Sequence, residues 1–267
     1  LGPDGEYITS ALEYETLAML GSNLGIDDLD TIAKLDRYCD ELGIDTIETG
    51  NTLGALNHAG MFEFGDGKKA LEYVREIEKG TPMGMILGSG TETACKTLGI
   101  DRVPAIRGLG IPAHMARSQK GWGVSYATSP QGADHTAGLS YDKYGEVDGA
   151  VERSLEAQVI CAAQDSLGYC QLATPDNKYL SITFLKDIIK AEFGMDVTED
   201  ELLNIGKEAL KDEIKFNAES GFLTAHDAAP EWMNSEPVGP ANSVFDVDAG
   251  DVSSIWDKLD AFSAPKG

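Results

Sequence analysis

A repeated helix-ending turn constrains this chain more than any other feature. The later copy spans residues 164–171 (QDSLGYCQ) and follows an amphipathic run over 147–163. The earlier copy spans residues 39–46 (CDELGIDT) and also follows an amphipathic run, with Asp45 where the later copy has Cys170. Because glycine readily adopts the left-handed conformation that ends a helix, each copy predicts a helix end followed by a turn. Two such turns suggest two similar sites that face one object.

The hydrophobic periodicity predicts a mostly α-helical chain with little strand. Predicted helices cover 10–24, 29–42, 44–61, 66–78, 91–98, 147–164, 181–192 and 199–217. Periodicity disappears over the Gly- and Pro-rich residues 100–114, so we expect a domain seam there, with domains at 1–115 and 116–267. Small residues dominate 121–135, a composition that suits close approach of the backbone to another group. The last fifty residues are predicted to wrap over a surface.

Composition excludes several classes of function. The 267 residues carry a formal charge of −24 and a pI near 4.3, which argues against a nucleic acid or an anionic membrane as partner. No apolar run is long enough to span a bilayer, and no signal-peptide pattern is present. The four cysteines are widely spaced and form no CxxC pair, so disulfides are not expected and a reducing, cytoplasmic compartment is predicted.

The carboxylates of the two turns are candidate ligand-binding groups. An Asp beside a helix-ending Gly, such as Asp40 or Asp165, is most often a capping or solvated residue. The duplication changes this interpretation, since two equivalent carboxylates can accept hydrogen bonds from two equivalent amine-bearing groups, as a bis-pterin cofactor would require. Cys170 taken alone is more often a core residue, and a single thiol cannot hold an iron–sulfur cluster.

Acid–base candidates lie elsewhere in the chain. His135 follows a Gly-rich segment and suits proton transfer near neutral pH, although a lone His is usually structural. Glu13 and Glu15 are two residues apart on a predicted helix, so at most one of them is expected to enter a buried site. The other histidines have no ligand spacing and are predicted to be structural: His58, His114 and His226.

Several motifs together carry a family resemblance. Leu12-Glu13-Tyr14-Glu15-Thr16, the Asp40–Asp45 turn, the 121–135 segment with its Gly-Ala-Asp-His, and the Asp165–Cys170 turn occur in one order. Elements of the tail add to them: Phe216-Asn217, Gly221-Phe222, Asp227, Pro230 and Glu236-Pro237. The chain thereby resembles the tungsten-dependent aldehyde ferredoxin oxidoreductases from about residue 8 to about residue 240. Any one of these motifs alone would be weak, whereas their shared order is specific.

The resemblance implies a fold, cofactors and residue roles. It implies an all-α, multihelical chain of two helical domains, with a tungsten or molybdenum bis-pterin and a [4Fe–4S] cluster. Glu15 and His135 match an acid–base pair near the metal, and Cys170 matches one cluster thiolate. The implied cofactor-binding residues are Asp40, Gly43, Ile44, Asp45, Asp165, Gly168, Tyr169 and Gln171. All the site residues are expected to converge on one concave surface.

The resemblance also implies an activity and what the chain lacks for it. The implied reaction is oxidation of an aldehyde to a carboxylic acid, with electrons passed to ferredoxin or a similar carrier. The family's other three cluster cysteines and its β-rich N-terminal domain precede the segment that this chain resembles. We therefore expect the chain to be a C-terminal fragment, or one polypeptide of several, and to be inactive alone.

Departures from the family pattern keep alternatives open. Gln131 stands where an Arg is usual, and Tyr169 where Leu is usual. Lys34 and Met85 occupy the regions of the ligands to a bridging iron, so an iron-bridged dimer is not expected, while other homodimers remain possible. Two other readings stay open: a relative acting on another carbonyl or acyl-thioester substrate, and a cofactor-free helical scaffold subunit of a redox complex.

Overall fold

The chain folds into two compact helical units. The computed structural model describes residues 2, 4–7, 9–140, 143–173, 182–222, 228–239 and 242–263. Unit 1 is Leu1–Ala113 and unit 2 is His114–Gly267. In the described part of the chain the regular structure consists of helices and one antiparallel hairpin of two short strands, which confirms the predicted all-α, multihelical class. His226 and Asp227, both named in the sequence analysis, lie outside the described residues.

The described residues of unit 1 form six α-helices, a 3₁₀ helix at Ser22–Leu24 and the hairpin. In chain order the α-helices and strands are α1 Tyr14–Leu20, α2 Leu29–Leu42, α3 Thr46–His58, α4 Gly67–Lys79, α5 Pro82–Leu87, α6 Thr91–Leu98, β1 Ala105–Ile106 and β2 Leu109–Gly110. Helix α3 packs against α1, α6 and β2, and α4 packs against α2 and α5. One apolar core runs through the unit and includes the fully buried Leu20, Leu35 and Leu56. Helix α3 therefore holds the unit together.

Local signals set most helix ends in unit 1. Asp28 caps α2, where its side chain accepts a hydrogen bond from the Asp30 amide. The helix predicted over 10–24 is shorter than expected, since α1 begins at Tyr14 and ends before Gly21. A Cβ on Gly21 would lie 2.4 Å from the Leu17 oxygen, so this close turn requires glycine. Sequence reasoning missed α5, a six-residue helix too short to show a period.

Unit 2 is organised around the helix Ala150–Ser166. Its helices are α7 Lys120–Thr128, α8 Ala150–Ser166, α9 Thr183–Phe193, α10 Glu199–Glu219, α11 Glu231–Ser235 and α12 Ala249–Ser253. Helix α8 packs against α7 on one side and against α10 on another. The approach of α10 depends on Gly206, because a Cβ there would lie 2.1 Å from the Val159 oxygen. Thr198 and Glu201 form a capping box at the start of α10, as the run over 196–198 predicts.

Helix α7 is the largest difference from the predicted secondary structure. Small residues dominate 121–135 and no helix is predicted there, but residues 120–128 form a helix that is buried at all nine positions. A helix buried all round has no polar face, so the amphipathic signal is absent. Lys120, only 1% exposed, donates from Nζ to the Arg117 oxygen at 2.8 Å and pairs with Asp246 at 2.7 Å. This buried ammonium ties the C-terminal residues to α7.

Membrane insertion finds no support in the helices. None of those in the described part of the chain combines the length and apolar character that a bilayer crossing needs.

Candidate functional site

The first turn ends α2 in a Schellman motif. Gly43 has a φ of 66°, its amide donates to the Asp40 oxygen at 3.3 Å, and the Ile44 amide donates to the Cys39 oxygen at 3.0 Å. The side chain of Cys39 is fully buried, whereas Asp40 and Gly43 are exposed. A buried anchor thus holds an aspartate at the surface.

The second turn has the same hydrogen bonds. Gly168 has a φ of 68°, its amide donates to the Asp165 oxygen at 2.9 Å, and the Tyr169 amide donates to the Gln164 oxygen at 2.9 Å. Gln164 is fully buried, and Asp165 and Gly168 are exposed. Since donors and acceptors occupy matching positions in both copies, the sequence duplication reflects one backbone geometry used twice.

Counted from Asp40 and from Asp165, the two turns differ at their sixth residue, which is Asp45 in the first turn and Cys170 in the second. Asp45 caps α3, where its Oδ1 accepts from the Glu48 amide at 2.8 Å. Its counterpart Cys170 precedes the 3₁₀ turn Gln171–Ala173 and is exposed. All four cysteines are free thiols and Cys170 is the exposed one; the buried ones are Cys39, Cys95 and Cys161. Burial raises the pKa of Cys39 to about 11 and that of Cys161 to about 12, whereas Cys170 is the thiol that solvent can reach.

The residues on either side of Cys170 are held by unit 2. The Cys161 thiol donates to the Gln171 Oε1 at 3.1 Å. The Tyr169 ring packs on Phe184 with ring centres 6.0 Å apart. The Tyr169 hydroxyl is buried and has no hydrogen-bond partner among the described residues. Tyr169 and Gln171 are therefore turned toward α9 and α8.

Glu15 is a buried residue of unit 1. Its side chain is 8% exposed, and its Oε2 accepts from the Ala113 amide at 2.8 Å. Glu13 is exposed, so only one glutamate of this pair enters the interior. The adjacent residue Thr16 bonds through its hydroxyl to that of Thr46, the first residue of α3, at 3.0 Å. This bond joins the start of α1 to the residue after Asp45.

His135 belongs to an aromatic cluster in unit 2. It lies beside His114, with ring centres 6.1 Å apart, and His114 stacks on Trp122 at 4.4 Å with parallel planes. Burial, together with the charge of His135, lowers the pKa of His114. Asp134 faces His135 Nδ1 at 3.9 Å and also accepts from the Thr136 amide. The sequence-based view of His114 as an isolated structural residue missed this histidine pair.

A cavity of about 280 Å³ lies beside Asp165 in unit 2. Its lining residues come from α8, from α10 and from the loop after α7: Ser129, Pro130, Gln131, Ala137, Gln158, Ala162, Asp165, Ser166, Ala209, Leu210 and Glu213. Asn217 of α10 fixes the loop by donating to the Pro130 oxygen at 2.7 Å. Partial burial, then the charge of Asp134, raises the pKa of Asp165. Sequence analysis named Asp165 but missed Glu213 and Gln158.

The predicted site residues are divided between the two units. Unit 1 holds Glu15 with the turn residues Asp40, Gly43, Ile44 and Asp45. Unit 2 holds His135, Asp165, Gly168, Tyr169, Cys170 and Gln171. The expected convergence of all these residues on one surface stays a prediction. Within the described residues, no group of three or more His, Cys, Asp or Glu side chains is arranged to hold a metal ion, so Cys170 stands as a single candidate ligand.

The fold and the turns together define a multihelical chain with two matched aspartate turns and one exposed thiol. Residues 2–255 match the family described as aldehyde ferredoxin oxidoreductase, domains 2 and 3. The chain belongs to this family, which confirms the resemblance found in its motifs.

Curated relatives agree with this assignment. A tungsten-containing aldehyde ferredoxin oxidoreductase of Pyrococcus furiosus is 30% identical over 257 residues, and one of Thermococcus kodakarensis is 29% identical over 258. Each alignment covers 86% of this chain and 42% of the relative. The WOR-like subunit of an aliphatic sulfonate oxidoreductase of P. furiosus is 34% identical over 181 residues, covering 60% of this chain and 29% of the relative. The chain thus spans about two-fifths of the length of the aldehyde enzymes that it matches.

Proposed function

We propose that this chain is the C-terminal part of a tungsten or molybdenum bis-pterin, [4Fe–4S] oxidoreductase. The proposed reaction is oxidation of an aldehyde to a carboxylic acid, with electrons passed to ferredoxin or a similar carrier. The observation that carries the proposal is the pair of matched Schellman turns, each of which presents an exposed aspartate from a buried anchor. Two equivalent aspartates suit a cofactor that contains two equivalent pterins.

The residues of the second turn fit a pterin. The aminopyrimidinone ring of a pterin has an edge of N–H donors, and it needs acceptors opposite that edge. Asp165 offers a carboxylate beside the cavity. Gly168 has no atom within 4 Å of its would-be Cβ, so the backbone of the turn is open to a ligand. In the first turn, Asp40 and Asp45 take the corresponding roles beside Gly43 and Ile44.

Cys170 fits one corner of an iron–sulfur cluster. Such clusters are normally held by four cysteine thiolates, and Cys170 is the exposed thiol of this chain. The other three ligands would come from another segment or another subunit. When both cofactors are bound, the tungsten–pterin group supplies two-electron oxidation and the iron–sulfur cluster supplies single-electron transfer to the carrier.

Glu15 and His135 would handle protons. Glu15 is oriented by the Ala113 amide on Oε2, which suits a general base that takes a proton from water or substrate. His135 has Asp134 facing Nδ1 at 3.9 Å, and an imidazole can donate a hydrogen bond or transfer a proton to a carbonyl oxygen. We assign Glu15 as base and His135 as hydrogen-bond donor or proton relay.

The proposed partners follow from the reaction. They are a ferredoxin-type carrier and the domain or subunit that supplies the other cluster ligands. A homodimer is also compatible with the proposal. The reducing compartment that favours four free thiols is the cytoplasm.

A second candidate is a family member that acts on a different substrate. Its support is the 34% identity to the WOR-like subunit of an aliphatic sulfonate oxidoreductase, together with Tyr169 in place of the usual Leu. A carbonyl or acyl-thioester compound would fit the same cofactor set, since a fold does not fix a substrate. A cofactor-free scaffold is the remaining alternative.

Metal and pterin analysis tests the proposal. The complete protein that contains this chain would be purified anaerobically and assayed for tungsten, molybdenum, iron and released pterin. We expect Cys170→Ser to lose most of its cluster iron and Asp165→Asn to lose pterin, whereas the control Asp187→Asn on α9 keeps both. Wild-type protein that is active without a pterin or a cluster would leave the scaffold alternative standing. Turnover with aldehydes, acyl thioesters and sulfonates then separates the two enzymatic candidates.

A further inference from the structure

The cavity beside Asp165 is an acceptor-rich site whose other polar groups have no assigned role. It lies where the end of α8 meets the middle of α10, and the loop over 129–137 closes one side. Its volume of about 280 Å³ is near the lower end of small-molecule sites. The cavity is therefore large enough for one small planar group.

Gln158 suggests a ligand because its buried amide oxygen accepts no hydrogen bond from a described residue. The side chain is fully buried, and its Nε2 donates to Thr128 Oγ1 at 3.0 Å and to Ser154 Oγ at 3.1 Å. Thr128 Oγ1 donates its hydrogen to the Val124 oxygen at 2.8 Å, so it can only accept a hydrogen bond from Gln158. The group of Gln158 that faces Thr128 is therefore the NH₂ group, which fixes the orientation of the amide. The Oε1 atom is then a buried acceptor with no partner among the described residues. An unmet buried acceptor costs free energy that a donor would recover.

Two carboxylates line the same cavity from opposite helices. Asp165 comes from α8 and Glu213 from α10, and neither forms an ion pair with a described residue. Partial burial, then the charge of Asp165, raises the pKa of Glu213. Gln131, which also lines the cavity, is neutral. Among the described residues that line it, the cavity thus holds two carboxylates and an amide oxygen and no Lys or Arg side chain.

We propose that this cavity binds a guanidine-type group, in which one planar carbon carries several N–H donors, through Glu213 and Gln158 Oε1 together with Asp165. A planar donor array can satisfy carboxylates on two sides at once, which a point-charge ammonium does less well. Two sources share this chemistry: the aminopyrimidinone ring of the pterin, and a separate guanidinium compound. The inference rests on the proposed function, because Asp165 is the aspartate assigned to the second pterin, and it adds Glu213 and Gln158 to that site.

Binding of guanidinium ion tests the acceptor set directly. The purified chain would be titrated with guanidinium chloride in the low millimolar range, with sodium chloride and methylammonium chloride at equal ionic strength as references, while the side-chain amide signals of Gln158 are followed by NMR. We expect a saturable shift with guanidinium that Glu213→Gln weakens by about tenfold or more, as loss of a charge-assisted hydrogen bond implies. Glu219→Gln removes one charge from the exposed end of the same helix and should bind like wild type. Equal binding by Glu213→Gln and wild type would overturn the inference.

Gln131→Arg provides a second variant that leaves the three proposed acceptor residues in place: Asp165, Glu213 and Gln158. It places a guanidinium group of the chain itself at the cavity, so added guanidinium should lose its saturable effect on Gln158. Undiminished binding in this variant would count against the cavity as the binding site.

The source of the group is separated by pterin retention in the complete protein. If the pterin ring fills the cavity, Glu213→Gln and Asp165→Asn should both lose pterin. If a separate guanidinium compound fills it, Glu213→Gln should keep its pterin and still lose guanidinium binding. Loss of pterin in Asp165→Asn, combined with unchanged pterin content and unchanged guanidinium binding in Glu213→Gln, would refute the role of Glu213 and leave the proposed function intact. Retention of pterin in Asp165→Asn would instead count against the proposed function.

Discussion

The two aspartate turns share a backbone and differ in what their sixth residue does. Gly43 and Gly168 have nearly equal φ values and matching hydrogen bonds. In the first turn Asp45 is tied into the cap of α3, so it contributes to folding as well as to any ligand. In the second turn Cys170 is exposed, and its backbone oxygen accepts from the Ala173 amide at 2.9 Å. The comparison teaches that the duplicated element is the turn itself, while the sixth position is free to serve either stability or chemistry.

The largest expected contrast is in thiol reactivity. Burial raises the pKa of Cys39 to about 11 and of Cys161 to about 12, whereas Cys170 is exposed. Relative to an ordinary thiol, a pKa near 11 or 12 leaves roughly 100-fold less thiolate or still less at neutral pH, and burial also blocks the reagent. We therefore expect Cys39 and Cys161 to alkylate far more slowly than the exposed Cys170. Mass spectrometry after timed iodoacetamide treatment of the native chain gives the order. Cys170→Ser should abolish the fast label, and fast labelling at Cys39 would break the contrast between a buried anchor and an exposed sixth residue.

Alanine at the two turn glycines tests whether the turns are equivalent. A side chain in the left-handed region costs about 1 kcal/mol or somewhat more, and no atom lies within 4 Å of the would-be Cβ at either glycine. Gly43→Ala and Gly168→Ala should therefore lower the free energy of unfolding by similar amounts. Urea denaturation, followed by probes in each unit, measures both. If the loss in unfolding free energy were several times larger at one turn than at the other, the two turns would not be equivalent despite their matching hydrogen bonds.

The sixth position should show a smaller and one-sided effect on stability. Asp45→Ala removes the cap of α3 and should cost about 1 kcal/mol. Cys170→Ala should leave the unfolding free energy of the chain nearly unchanged, because the thiol is exposed and the substitution keeps the backbone hydrogen bond to Ala173. Asp45→Asn is the matched control, since its amide oxygen can still cap the helix. Similar losses in Asp45→Ala and Cys170→Ala would remove the difference between the two turns.

Local signals carried most of the prediction, and tertiary packing supplied the rest. Glycine with a positive φ and a polar cap are readable in the sequence, so the two turns and the cap of α10 were predicted correctly. The buried helix α7 was missed because burial on every side removes the periodic pattern. In the sequence, Glu213 cannot be told from the other charged residues of α10. Its place opposite Asp165 in one cavity follows from the packing of α10 on α8. The stacking of His114 on Trp122 likewise cannot be predicted from the spacing of these residues in the sequence.

The smallest expected effect concerns the pH dependence of the second turn. Partial burial and the nearby charge of Asp134 raise the pKa of Asp165, and Glu213 lies across the same cavity. Because the folded-state pKa is above the unfolded one, the folded chain binds the proton more tightly, and stability falls as pH rises through the interval between the two values. Asp165→Asn should therefore raise the thermal midpoint slightly at neutral pH, and the difference should vanish below the unfolded-state pKa of about 3.9. Asp187→Asn on α9 should show no such pH-dependent gain, and a gain of equal size there would assign the effect to the overall negative charge of the chain.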